Sequence, residues 1–117
     1  MKILGRHIIA EFYHVESELL NDKDFLEKIF LEGTRLSKAT IINSFFHKFS
    51  PVGVSGVIVI AESHVTVHTY PEYNYAAVDV FTCGENIDPY IIFNYIQEKF
   101  NIKEVFSFEL LRGKIKN

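Results

Sequence analysis

Four short segments rich in β-branched and aromatic residues follow one another between residues 40 and 82. The connections between them are short, and the first contains Pro51 and Gly53, which favour a turn. Strands joined in this way pair antiparallel, because a parallel pair needs a crossover of a dozen or more residues. The sequence therefore predicts an antiparallel meander with strands at residues 40–49, 55–61, 64–70 and 75–82.

Two helices and two further strands are predicted around the meander. Residues 22–36 carry apolar side chains at helical spacing, with Asp22 or Asp24 available to cap the first turn. A second helix follows Asp88 and Pro89, a capping residue and a proline suited to the first helical position. Strands at 4–13 and 104–111 complete the order β, α, four β, α, β. This order predicts an α+β fold, a two-layer sandwich whose antiparallel sheet carries two helices on one face.

The length of 117 residues accommodates one hydrophobic core, so we expect a single domain over residues 1–117. The net charge is −3, and the sequence has no run of lysine or arginine. Nucleic acid and anionic membrane surfaces both need a concentrated basic face. We therefore expect no nucleic-acid partner and no membrane partner, and a small molecule as ligand.

The N-terminal segment MKILGRHIIAEFY lacks the long apolar run and the small-residue cleavage site of a secretory signal, which predicts a cytoplasmic protein. The single cysteine, Cys83, excludes an internal disulfide and a metal site built from several cysteines. We therefore expect no bound metal, and any role of Cys83 would be that of a free thiol.

The most informative segment is HKFSPVGVSGVIVIAESHVTVHTYPEYNYAAVDVFTCG, residues 47–84. With GRHIIAEFY near the N-terminus and GENIDP after the cysteine, it resembles the small bacterial and archaeal S-adenosylmethionine decarboxylase proenzymes over most of the chain. The resemblance implies that the chain cuts itself between Glu62 and Ser63 into fragments 1–62 and 63–117, which remain associated. It also implies conversion of S-adenosylmethionine to its decarboxylated form, the aminopropyl donor of spermidine biosynthesis.

The AESH motif contains chemistry suited to this role, because Ser63 can attack the carbonyl that precedes it and leave an ester. β-Elimination of the ester gives dehydroalanine, which hydrolyses to a pyruvoyl group. The resemblance implies that the substrate amine forms a Schiff base with this pyruvoyl cofactor, which replaces pyridoxal phosphate as the electron sink. The sequence has no glycine-rich phosphate loop, so we expect no pyridoxal phosphate.

Three further residues receive roles from the same resemblance. His68, in VHTY, matches a processing acid and base, for which imidazole is suited near neutral pH. Ser55, in GVSG, matches a second processing residue, whose hydroxyl can bind the oxyanion of the acyl shift. Cys83, in FTCG, matches the proton donor that quenches the carbanion after decarboxylation. Taken alone, each residue would more simply be structural, and the surrounding motifs favour the functional interpretation.

The substrate implied by the resemblance, S-adenosylmethionine, needs a flat surface for its purine and acceptors for its ribose hydroxyls. Phe49 and Tyr70 match the aromatic residues that provide the flat surface, and Glu72, in YPEY, matches the ribose-binding carboxylate. Aromatic faces also attract cations, so the same rings suit the positive sulfonium.

Strand geometry adds an inference that does not depend on the resemblance. If residues 71–74 form a hairpin loop, paired residue numbers add up to about 145, which places Ser63 opposite Thr82 and beside Cys83. Ser63 and His68, however, are separated by five extended residues, which span roughly 16 Å, and odd spacing points them to opposite faces. One strand therefore cannot bring both residues into one site.

A chain reversal near the 62–63 bond would place Ser55 opposite Tyr70 and diagonal to His68. The candidate residues then form two separate clusters. A two-fold axis would join them, because it lays the Ser63 end of one chain against the Ser55 and His68 end of the other. We therefore expect a homodimer with composite active sites.

Two alternatives remain open. The first keeps the pyruvoyl chemistry but acts on a free amino acid such as arginine or ornithine, which would have no use for Phe49, Tyr70 and Glu72. The second is a non-enzymatic α+β dimer module that binds a metabolite, in which case the purified chain would stay whole.

Overall fold

The structure, a computed structural model, describes residues 1–116. Its strands are β1 (Lys2–Phe12), β2 (Ile41–Lys48), β3 (Val54–Ile60), β4 (Ser63–Tyr70), β5 (Tyr75–Cys83) and β6 (Phe106–Ile115). Its helices are α1 (Ser17–Leu20), α2 (Lys23–Leu36) and α3 (Pro89–Phe100), and a short 3₁₀ helix covers Pro71–Tyr73. The strands form one sheet in the order β2-β3-β4-β5-β1-β6, and all neighbouring pairs are antiparallel. The predicted α+β fold is confirmed.

Both long helices begin at the capping residues that the sequence indicates. The Asp22 side chain accepts a hydrogen bond from the Phe25 amide at 3.0 Å, which satisfies an amide of the first turn of α2. Asp88 accepts from the Tyr90 amide at 2.9 Å in the same way, and Pro89 starts α3. The sequence did not predict the four-residue helix α1.

The hydrophobic core lies between the two long helices and one face of the sheet. In β4 and β5 the side chains alternate strictly, so one face of each strand is buried and the other is not. The core side receives Val65 and Val67 from β4, and Val78 and Val80 from β5.

Within residues 1–116 no helix lies on the other face of the sheet, and we call it the helix-free face. By the same alternation it displays His64, Thr66, His68 and Tyr70 from β4, and the odd-numbered residues from Tyr75 to Cys83 from β5. Several large apolar side chains on this face are exposed, namely Phe45, Val59, Phe106, Phe108 and Leu110. An apolar surface of this kind is typical of a protein interface.

One buried hydroxyl connects the start of β3 and helix α1 to β4. Thr69 donates a hydrogen bond to the Leu20 carbonyl at 2.7 Å and accepts one from the Val54 amide at 2.9 Å. Thr82 is similarly buried, but its hydroxyl finds no partner among residues 1–116. The two threonines therefore form a matched pair, one with hydrogen bonds and one without.

We predict that Thr69→Val lowers the free energy of unfolding by about 1–3 kcal/mol, because it leaves a buried amide and a buried carbonyl unpaired. Thr82→Val removes a buried hydroxyl without a partner, so we expect a neutral or stabilising effect. Urea unfolding of both variants measures the difference. Equal losses of stability in the two variants would show that the hydrogen bonds of Thr69 do not add to the free energy of unfolding.

Candidate active site

Ser63 and Cys83 meet at one end of the sheet, as the strand arithmetic predicted. Paired residues of β4 and β5 add up to 145, from His64 with Phe81 to Tyr70 with Tyr75. Ser63 is the first residue of β4 and Cys83 is the last residue of β5. The Ser63 hydroxyl donates to the Cys83 sulfur at 2.9 Å, so the two candidate groups are in direct contact.

Both side chains also contact the carbonyl oxygen of Glu62. The Ser63 hydroxyl oxygen lies 2.6 Å from this oxygen, and the Cys83 thiol donates to it at 3.3 Å. A hydroxyl next to its own preceding carbonyl, with a second donor on the carbonyl oxygen, is suited to attack on that carbonyl. The geometry is therefore compatible with chemistry at the peptide bond that precedes Ser63.

The backbone of Glu62 has an unusual conformation. Glu62 is the second residue of the two-residue turn between β3 and β4, and its φ is 75°. This left-handed region costs a non-glycine residue about 1 kcal/mol or more. The turn thus holds the Glu62 carbonyl next to Ser63, and the backbone of Glu62 is strained in this position.

Ser55 and His68 form a second cluster, on the same sheet but away from Ser63. They are directly paired across β3 and β4, and the Ser55 hydroxyl oxygen lies 2.8 Å from Nδ1 of His68. The expectation that Ser55 would lie opposite Tyr70 is wrong by two residues. The reason is the tight turn, which pairs Ile60 with Ser63 and moves the reversal ahead of the 62–63 bond.

The expected substrate residues surround a cavity beside this second cluster. The cavity has a volume of about 290 Å³, and its walls include Phe49, Tyr70 and Glu72 together with Ser55 and His68. Phe49 follows the end of β2, and Glu72 lies in the 3₁₀ helix after β4. Five of the eight predicted site residues therefore line one pocket.

The two clusters stay apart within one chain. Ser63 and His68 lie in the same uninterrupted strand, and extended residues rise about 3.3 Å each, which places them roughly 16 Å apart. No hydrogen bond joins one cluster to the other in the part of the chain that the structure describes. The Cys83 and His68 side chains nevertheless belong to the same helix-free face.

A charged cluster between them was missed by the sequence reasoning. On the helix-free face, Arg112 donates to Nδ1 of His7 at 3.0 Å, and Nε2 of His7 lies 2.9 Å from Asp79. Because an arginine can only donate, Nδ1 of His7 accepts and its Nε2–H donates to Asp79. The side-chain alternation along each strand indicates which residues share a face. The pairing of β1 with β5 and β6, which brings these residues together, was not predicted.

His64 lies next to this cluster, with its ring centroid 6.2 Å from that of His7. Burial lowers the pKa of His64 below its ordinary value. Repulsion from the positively charged Arg112 lowers this pKa further, and the carboxylate of Asp79 opposes the effect. In residues 1–116 we find no group of three potential metal ligands, and no helix long and apolar enough to span a membrane.

Comparison with known proteins adds independent evidence. The family model described as S-adenosylmethionine decarboxylase matches residues 6–113. The S-adenosylmethionine decarboxylase proenzyme of Clostridium kluyveri is 53% identical over 113 residues, which cover 97% of this chain and 90% of that protein. The proenzyme of Thermosipho melanesiensis is 53% identical over 114 residues, with coverage of 97% and 88%.

A solved structure also matches almost completely. The crystal structure of the adenosylmethionine decarboxylase from Aquifex aeolicus superposes with a TM-score of 0.93 at 32% sequence identity, covering 99% of this chain and 96% of that one. The relatives are enzymes that are made as proenzymes, and their class fits a fold with a serine hydroxyl against its preceding carbonyl at a strained turn. The chain belongs to the S-adenosylmethionine decarboxylase family.

We predict that His64 titrates below 6.5, the ordinary histidine value, in the folded protein. Because the unfolded chain then takes up this proton first, the contribution of His64 to stability is complete above about pH 6.5 and is lost as the pH falls below it. NMR titration of the ring and urea unfolding at several pH values measure both effects. His64→Gln should flatten the acid side of the stability curve, whereas His14→Asn, at an exposed histidine, should not. A His64 ring that titrates above 6.5 would contradict the prediction.

Proposed function

We propose that the chain is a self-processing, pyruvoyl-dependent decarboxylase of S-adenosylmethionine. It cuts itself between Glu62 and Ser63, and its product serves as the aminopropyl donor of spermidine biosynthesis. The observation that carries the proposal is the contact of the Ser63 hydroxyl and the Cys83 thiol with the Glu62 carbonyl oxygen. Membership of the family supports the substrate and the proenzyme character.

Processing begins when the Ser63 hydroxyl oxygen attacks the Glu62 carbonyl carbon. The C–N bond breaks, the Ser63 nitrogen takes a proton, and residues 1–62 are left as an ester on Ser63. In the dimer proposed below, the hydroxyl of Ser55 of the partner subunit would hydrogen-bond the oxyanion that forms during this shift. The strain at Glu62 favours the forward step, because the broken bond frees its backbone.

His68 completes the processing as a base. In the proposed dimer, His68 of the partner subunit removes the α-proton of Ser63 while the ester C–O bond breaks, which releases residues 1–62 with a free carboxylate. The dehydroalanine left at position 63 takes up water and loses ammonia, and a pyruvoyl group is formed. The hydrogen bond between Ser55 and Nδ1 of His68 orients the imidazole for this task.

The residues around Ser63 suit a pyruvoyl group at that position. When present, this group supplies an electrophilic carbonyl that accepts the electrons released as carbon dioxide leaves. Cys83 already contacts the Ser63 side chain at 2.9 Å, so its thiol can deliver a proton at that point. Pyridoxal phosphate and a metal have no part in the proposal.

The pocket at Phe49, Tyr70 and Glu72 supports an adenosine-bearing substrate. Its aromatic walls offer stacking surfaces for the purine, and the Glu72 carboxylate can accept hydrogen bonds from ribose hydroxyls. The same aromatic faces attract the positive sulfonium. A free amino acid such as arginine or ornithine would leave these surfaces unused, which favours S-adenosylmethionine.

A homodimer with composite sites is part of the proposal. Each chain holds Cys83, in contact with Ser63, at one end of the helix-free face and Ser55, His68 and the pocket at the other. A two-fold axis across this face would cover its exposed apolar side chains and bring each Ser63 to a His68 of the partner. We also propose a cytoplasmic location, where reducing conditions keep the Cys83 thiol free.

We predict that the purified protein converts to fragments 1–62 and 63–117, the second with a blocked N-terminus. Ser63→Ala should remain whole, folded and inactive, because the nucleophile and the pyruvoyl precursor are the same residue. Ser107→Ala, on the exposed strand β6, should still be cut. Intact mass and a denaturing gel provide the measurement. A wild-type chain that stays whole after long incubation would refute self-processing.

We further predict complementation between two inactive chains, Ser63→Ala and His68→Ala, when they are co-expressed with different tags. In a composite heterodimer one site contains both substitutions, and the other contains an intact Ser63 and an intact His68. Purified heterodimers should therefore recover partial cleavage and partial decarboxylase activity. Heterodimers that remain uncut and inactive would place each site within a single chain.

A further inference from the structure

Three tyrosines form a continuous stack on the helix-free face. The ring centroids of Tyr70 and Tyr75 are 5.6 Å apart with an interplanar angle of 24°. Those of Tyr75 and Tyr13 are 5.2 Å apart with an angle of 28°. The stack starts at Tyr70 in β4, continues through Tyr75 in β5 and ends just beyond β1. Tyr75 is the central ring and touches both others.

A carboxylate fixes the middle of this stack. The Tyr75 hydroxyl donates a hydrogen bond to Glu11 at 2.6 Å, and the Tyr13 hydroxyl lies 3.4 Å from the same carboxylate. Burial and the neighbouring Glu11 raise the pKa of Tyr75 far above its ordinary value, so this hydroxyl remains a donor at physiological pH. Hydrogen bonds to a charged acceptor are short and directional, which limits rotation of the Tyr75 ring.

Tyr70 needs such support more than a core aromatic residue would. Its side chain is 44% exposed, and no polar partner of its hydroxyl is found in residues 1–116. Tyr70 lines the pocket with Phe49 and Glu72, and its contact with Tyr75 limits the rotamers of an otherwise free side chain. A ring held in place before the ligand arrives loses less conformational entropy on binding.

We propose that Tyr75, anchored by Glu11, is a positioning residue that holds the Tyr70 ring at the orientation in which it stacks on the purine of the substrate. The inference rests on the proposed function, since it assigns the purine to Tyr70. Tyr75 acts through Tyr70 and takes no part in self-cleavage or proton transfer. Its removal therefore changes substrate affinity and leaves chemistry unchanged.

The test uses the processed enzyme, four single variants and one double variant. Aromatic pairs of this geometry contribute enough that Tyr75→Leu should raise the KM for S-adenosylmethionine and the inhibition constant of adenosine roughly three- to tenfold. Tyr75→Phe and Glu11→Gln keep the stack but weaken its anchor, so we expect smaller increases. The matched control is Tyr73→Leu, at a tyrosine that is 75% exposed and close by in sequence but outside the stack, and it should change neither constant.

Two further readouts separate positioning from a general structural effect. The extent of self-cleavage and kcat should stay within about twofold of the wild type in every variant, because the stacking interaction is weakened equally in the bound substrate and in the transition state. The double variant Tyr75→Phe with Glu11→Gln should be no weaker in adenosine binding than the worse single variant, since one substitution removes and the other weakens the same hydrogen bond.

The inference is overturned if Tyr75→Leu leaves both constants unchanged, if kcat falls while KM does not, or if Tyr73→Leu has the same effect. If Tyr75→Leu does not fold, the test rests on Tyr75→Phe, Glu11→Gln and their double variant. Additive losses of adenosine affinity, or no loss in any of them, would contradict a shared anchor. Failure of the proposed function gives a different result, because the wild-type chain would then remain uncut or would not release carbon dioxide from S-adenosylmethionine.

Discussion

The antiparallel pairing of β4 with β5 is the constraint on which the candidate site depends. Its register brings Ser63 to Cys83 at one end and Tyr70 to Tyr75 at the other. A slip of one residue would turn either His68 or Cys83 toward the core, depending on which strand shifts, and would bury a polar group among apolar ones. The register is held by the short 3₁₀ connection at Pro71–Tyr73 and by buried valines on the core side of both strands. The packing that stabilises the fold therefore also determines which reactive groups meet.

The sheet has one covered face and one helix-free face, and this asymmetry links the fold to the proposed assembly. Helices α2 and α3 cover the core side, while apolar side chains such as Phe106 and Phe108 remain exposed on the other. The residues proposed for processing lie at two ends of the sheet because a straight strand separates them. In our proposal, the surface that a second chain would cover is the surface that carries the chemistry. Assembly would then precede self-cleavage and would be required for it.

The sequence was sufficient to predict those features of the structure that neighbouring residues determine. Helix caps, the strand pattern and the hairpin after Tyr70 are encoded by neighbouring residues, so the fold class and the contact of Ser63 with Cys83 could be predicted. The predicted register of β3 with β4 was wrong by two residues. No local sequence pattern predicts that a glutamate adopts a left-handed backbone conformation in a tight turn. The cluster of His7 and Arg112 was not predictable, since these residues are 105 positions apart in sequence and their strands pair only in the folded sheet.

The most direct test of composite sites is a thiol cross-link, because Cys83 is the only native cysteine. Within one chain, position 55 pairs through His68 with Ala77, which is six residues from Cys83 and so roughly 20 Å away along β5. The double variant Ser55→Cys with Ser63→Ala is treated with a bifunctional thiol reagent much shorter than that distance. We predict a covalent dimer on a denaturing gel, and none for Ser63→Ala alone. Chains that bear both thiols and remain monomeric on the gel, although their native mass is that of a dimer, would contradict the account.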